Sequence, residues 1–145
     1  MSASLIELQK QIDELRSAQA MASDPSAALA EANKVIATKA TATQEAVTAP
    51  TLLNSWVNYG AGVQTAGYYK DKFGIVHLQG AVKDGTIGLA AFSLPVGYRP
   101  SATESFACAS NGAFGQCNIQ PTGGVNPAIG SNVIFYFSGI SFRAA

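Results

Sequence analysis

Residues 68–85 read YYKDKFGIVHLQGAVKDG. Within 75–83, Val76, Leu78 and Val82 alternate with His77, Gln79 and Lys83, so one face of an extended strand is apolar and the other wet. Asp71 to Gly74 supplies a turn before this run, and Asp84-Gly85 after it is a short-hairpin signal. The stretch predicts antiparallel, half-buried strands.

Working outward, further strands are predicted near residues 56–59, 67–70, 89–94, 105–109, 116–119, 132–137 and 139–143, with turn signals between most of them. Short strands this closely spaced point to a sandwich or a jelly roll. In NVIFYFSGISF (132–142) the alternation is lost, so both faces are expected to be buried. In so small a domain this favours a subunit interface, with Phe135, Phe137, Ile140 and Phe142 as the interface candidates. A central sandwich strand beneath a covering loop is the competing arrangement.

The chain changes character at Pro50. Before it the sequence is Ala-rich, charged and free of glycine. Leu5, Leu8, Ile12 and Leu15, spaced three, four and three, form one helical stripe that calls for partner helices, because an isolated helix of this length is marginal in water. The stripe weakens at Gln19 and Ala22. Asp24 as N-cap and Pro25 at the first helical position then mark a kink or restart near 24–25. A second helical pattern runs through Leu29, Ala32, Ile36, Ala40, Thr43 and Val47, closer to an eleven-residue period and weakened by Thr38, Thr41 and Thr43. Leu5, Leu8, Ile12, Leu15, Leu29 and Ile36 are the expected seam of a self-associating stalk. A hairpin folding back on the first helix competes with one kinked rod.

The expected fold class is therefore α+β by segments. A helical coiled-coil stalk over residues 1–48 and a linker over 49–55 precede an all-β, sandwich or jelly-roll-like knob over 56–145.

Formal net charge is zero and no Lys/Arg run is present, which leaves no electrostatic footprint for nucleic acid or anionic lipid. Charge interrupts every turn of the N-terminal segment, which fits neither a signal peptide nor a membrane span, and the chain is expected to be cytosolic when made. Cys108 and Cys117 flank a turn, so a cross-strand disulfide is geometrically accessible; a pair of small reduced core residues fits the missing secretion signal better. Two cysteines and one histidine fall short of a closed zinc site.

Catalysis is not expected. His77 is the only histidine, no Gly-x-Ser-x-Gly elbow occurs, and no carboxylate pair sits at a spacing suited to glycoside hydrolysis. The glycine-rich stretches lack the context of a phosphate cradle. No cofactor or metal is expected. What remains is an inventory of aromatic, amide and hydroxyl groups that suits stacking on sugar rings and bonding to their hydroxyls: Trp56, Asn58, Tyr59, Gln64, Thr65, Tyr68, Tyr69 and a loop over 110–115. Tyr68, Tyr69, Asn111 and Phe114 are the candidate contact residues, against the competing reading that the large aromatics are core.

Over nearly all of residues 51–145, TLLNSWVNYGAG, GYYKDKFGIVHLQGAVKDGT, FSLPVGYRP, FACASNGAFG and GISFRA occur in this order. Together they resemble the C-terminal β-domain of tail fibres and receptor-binding proteins of tailed bacteriophages. The resemblance implies a homotrimer, a virion location in the tail after assembly in the host cytoplasm, and docking to another tail or baseplate protein through the N-terminal helices. It implies adhesion to a bacterial surface polysaccharide, with no nucleic-acid partner and no membrane insertion. A purely structural trimerisation or capping part of a phage tail or contractile injection particle is the alternative. Only about 48 residues precede the knob, fewer than the long shafts of many such fibres.

Overall fold

A computed structural model describes residues 3–23, 25–40 and 43–145. The chain divides into two compact units, Met1–Thr43 and Gln44–Ala145.

The first unit carries helix α1 (Ala3–Ser23) and helix α2 (Pro25–Ala40). Pro25 opens α2, where its missing N–H costs nothing; the expected cap, Asp24, lies outside the described residues. The described side chains of both helices are exposed, apart from half-buried Ile12. Two helices packed along their length in a hairpin would bury one face of each, so the hairpin arrangement is not what forms. Leu5, Leu8, Leu15, Leu29 and Ile36 are thus all uncovered within the chain.

The second pattern was expected to stay helical to Val47, but α2 ends at Ala40 and the chain from 43 is extended. Thr48 exchanges two backbone hydrogen bonds with Tyr68, and Glu45 Oε1 accepts from the Lys70 backbone N–H at 3.2 Å. Threonine's low helix propensity meets a ready strand edge there, and the edge wins. Residues 44–55, expected as stalk end and linker, accordingly belong to the β unit; Leu53 N–H bonds to Ala91 O at 2.7 Å.

The β unit contains β1 (Val57–Asn58), β2 (Gly67–Lys70), β3 (Ile75–Gln79), β4 (Ala81–Lys83), β5 (Phe92–Ser93), β6 (Glu104–Ser110), β7 (Ala113–Ile119), β8 (Gly124–Ile129), β9 (Phe135–Tyr136) and β10 (Ser141–Arg143). All pairings are antiparallel. A curled seven-stranded sheet has the order β1-β4-β9-β6-β7-β8-β5, and a three-stranded sheet the order β10-β3-β2. Side chains from both sheets meet in one core, with Tyr68 against Phe92 and Phe106 against Phe142, as in a β-sandwich.

The run read as one strand over 75–83 is two. Gly80 breaks it with φ +90°, and a Cβ there would collide with the Thr65 carbonyl and the Ala66 nitrogen. Val76 and Leu78 enter the core from the small sheet and Val82 from the large one. Asp84-Gly85 does not close a hairpin. Asp84 N–H bonds to Asn132 O and Asn132 Nδ2 to Gly85 O, while the next strand, β5, lies at the far edge of the large sheet.

No strand is predicted between 119 and 132, where β8 lies with Pro127 in its interior, a position a proline normally avoids. The proline is tolerated at a bulge facing Gln116 and Cys117, beyond the two residues that pair with β5. The 132–142 run forms only β9 and β10. Phe135, Phe137, Ile140 and Phe142 are all buried within their own chain, the first two completely. No partner subunit is needed to cover them, and the proposed interface role gives way to a core role.

Gly62 and Gly80 both hold positive φ, but the space beside Gly62 is open. Gly62→Ala should cost only the left-handed strain, about 1–2 kcal/mol. Gly80→Ala adds a collision with backbone and should cost several kcal/mol more, about the range of a core lesion. Urea unfolding of the two variants checks this; equal losses would contradict it.

Candidate functional site

Three surfaces of the β unit carry chemistry. The first is the outer face of the small sheet. Asp71 opens the β2–β3 turn, where its Oδ1 accepts the backbone N–H groups of Phe73 and Ile75 at 2.9 and 3.0 Å. Its Oδ2 meets His77 Nε2 at 2.8 Å, and the His77 ring stacks on Tyr69 with centroids 4.9 Å apart. Tyr69 and His77 are cross-strand partners, which is why the rings meet. The His77 hydrogen bond holds the Asp71 carboxyl below its ordinary value; burial works against this, and the two turn N–H groups add to it. Phe73, at the tip of the turn, is 88% exposed.

The second surface is the β6–β7 hairpin and its outer face. The turn is the two-residue Asn111-Gly112 with φ of 49° and 76°, which suits a type I′ hairpin. The loop expected over 110–115 is therefore shorter: Ala113 to Gly115 are already strand. Asn111 sits at the tip and Phe114 is 61% exposed beside it. Further along, Ser105 Oγ donates to Asn118 Oδ1 at 2.6 Å and Gln116 Nε2 to the same oxygen at 3.0 Å. Asn126 is paired in register with Asn118, and its Oδ1 is buried without a partner among the described residues.

On the inner side of this hairpin Cys108 and Cys117 are diagonal neighbours and both are free thiols. The Cys108 thiol and burial together hold Cys117 well above the ordinary thiol range. Cys117 is fully buried and Cys108 half-buried.

The third surface is a pocket of about 420 Å³ lined by Ala49, Pro50, Thr51, Leu53, Tyr68, Ser93, Leu94, Pro95 and Arg99. Beside it, Tyr98 is clasped by Glu45 Oε1, which accepts from its hydroxyl at 2.7 Å and raises its pKa, and by Lys70 Nζ, 4.8 Å above its ring. Lys70 Nζ also donates to Gly97 O at 3.0 Å.

Of the expected contact residues, Asn111 and Phe114 share one hairpin end and Tyr69 is half-exposed on the small sheet. The Tyr68 ring is core, stacked on Phe92 and edge-on to Tyr98. Trp56 is buried, its indole N–H donating to Leu89 O at 3.3 Å. Sequence reasoning missed Phe73 and the pocket. The run FSLPVGYRP carried the pocket's Ser93 and Arg99, but the segment over 49–53 that forms its other wall has no sequence signal of its own. Among the described residues, no three His, Cys, Asp or Glu side chains come together as a metal site requires, and no helix is long and apolar enough to cross a membrane. No family model, curated protein or solved structure matches the chain.

Asp71 has a lower folded than unfolded pKa, so its contribution to stability is present above the ordinary value of 3.8 and is lost as pH falls through the lowered one. Asp71→Asn should therefore flatten the acid limb of the melting temperature plotted against pH below 5, with little change in its shape near pH 8; an unchanged acid limb would show that the pair contributes nothing. Iodoacetamide should label Cys108 before Cys117 in the native protein and both equally in urea, read by peptide mass spectrometry.

Proposed function

We propose that this chain is a structural virion protein, a short trimeric tail fibre that adheres to a bacterial surface glycan without cleaving it. One observation supports the reading above the rest. Helix α1 presents Leu5, Leu8 and Leu15 at 53, 52 and 69% exposure, in heptad spacing with half-buried Ile12. Burying the exposed part of each leucine is favourable by about 1–2 kcal/mol, so a stripe left wet favours association with copies of itself. The order of that association comes from the resemblance to trimeric fibres, since these residue types do not choose cleanly between two, three and four strands.

The adhesive role draws on the β unit. Its charge is low, and Phe73 and Phe114 stand exposed at two hairpin ends held by rigid strands. Three equivalent weak sites on one trimer, and several fibres per virion, raise avidity without any single strong contact. Helices α1 and α2 then serve as stalk and as the docking segment for another tail or baseplate protein.

Light scattering on a sizing column should give three times the 15.0 kDa of one chain. Leu8→Asp should shift this mass downward while leaving the β signature in circular dichroism. The labelled trimer should bind bacterial cells or purified surface polysaccharide, and Phe73→Ser with Phe114→Ser should weaken binding about tenfold. A monomer would remove the fibre reading. A trimer that binds no cell and no polysaccharide would leave a trimerisation or capping part.

A further inference from the structure

We infer that the pocket beside Arg99 is a site for a carboxylated sugar, such as a uronic acid residue of a surface glycan; this deepens the adhesive reading above and rests on it. Arg99 lies at one side of this pocket. It is half-buried, and no carboxylate of the described residues forms an ion pair with its guanidinium. Leaving a partly desolvated cation unpaired is costly, which favours an anionic ligand.

The guanidinium is also oriented. Arg99 Nε donates to Leu94 O at 2.7 Å, and its own carbonyl accepts from Ala145 N–H at 2.8 Å. A Cβ on Gly123 would sit 2.8 Å from Nε and 2.9 Å from Ser93 Oγ, so glycine there leaves room for both groups. With Nε committed to the backbone, the terminal nitrogens have no partner among the described residues. A fixed planar fork matches the two oxygens of a carboxylate better than a point charge does.

Thr51, Ser93 and Tyr68, which line the same pocket, bring three hydroxyls to it or its edge. None of them makes a hydrogen bond within the described residues, although the Tyr68 ring itself is packed in the core. Pro50, Leu53 and Pro95 supply apolar wall. The volume, about 420 Å³, falls in the range of small-ligand sites. One unpaired cation, three free hydroxyls and an apolar wall correspond to one carboxylate, several ring hydroxyls and the C–H face of a pyranose.

Calorimetry of the full chain with digalacturonate, neutral digalactose and galactose 6-phosphate tests the site. Digalacturonate should bind, and digalactose should bind about tenfold more weakly or not at all. Arg99→Gln should lower digalacturonate affinity about tenfold or more, and Arg99→Lys should not restore it. Because Arg99→Gln also removes the bond to Leu94 O, Tyr68→Phe and Ser93→Ala serve as gentler variants, each expected to weaken binding about two- to fivefold with the melting temperature unchanged. Equal affinity for the neutral disaccharide, preference for the phosphate, or digalacturonate binding unchanged in Arg99→Gln would each overturn the proposal. Bacterial cell binding that is unaffected by all these variants would sink the pocket and leave the fibre reading standing. Digalacturonate binding through Arg99 by a protein that adheres to no cell would keep the pocket and sink the fibre reading.

Discussion

The β unit depends on one constraint, the passage of a single stretch of chain from one sheet to the other at Gly80. Residues 75–79 pair with β2 and β10, and residues 81–83 pair with β1 and β9. The crossing lets Val76, Leu78 and Val82 point into the same core although they belong to different sheets. Backbone from the 64–66 and 136–140 segments closes around the junction: Gln64 O accepts from Ala81 N–H, Gly80 O from Phe137 N–H and Ile140 O from Leu78 N–H. No side chain fits beside Gly80, because the Thr65–Ala66 peptide fills that space. The sandwich is thus closed by backbone packing at a corner, with the aromatic layer of Tyr68, Phe92, Phe135 and Phe137 filling the volume behind it.

Several polar side chains close the structure. Asp71 organises its turn and holds His77; Glu45 ties the extended 44–48 segment to β2 and to Tyr98; Asn132 bridges to Gly85. Each of these side chains satisfies backbone or ring groups that the strands leave open, as buried polar groups must be satisfied. Against that background the groups with no such task stand out. They are the α1 stripe, the two exposed hairpin phenylalanines and the terminal nitrogens of Arg99 with the neighbouring hydroxyls. The functional reading is assembled from these leftovers.

Much of the local structure was legible. Alternation over 75–83 marked extended chain there, as one strand where the fold has β3 and β4; β2 falls at residues 67–70 as read, and the turn at Asp71 is where Asp and Gly placed it. The contact site was only partly legible. Asn111 and Phe114 occupy one hairpin end, whereas Tyr68 is in the core with only its hydroxyl unpartnered. Where the reading failed, a tertiary effect overrode a local signal. A bulge rescued Pro127, a free strand edge captured residues 44–48 from a helical pattern, and intramolecular packing covered the aromatic run of 132–142.

Side-chain periodicity is a local property, so the sequence alone determined that a helical segment precedes a β segment, the alternating core positions and the leucine stripe of α1. Tertiary structure decided which sheet each strand joins, that Phe135, Phe137, Ile140 and Phe142 are core, and that residues 49–53 and 93–99 face one another across a pocket. Those outcomes depend on contacts between segments well separated in the sequence. Their free energy comes from closing a shared volume, which no window of local sequence contains.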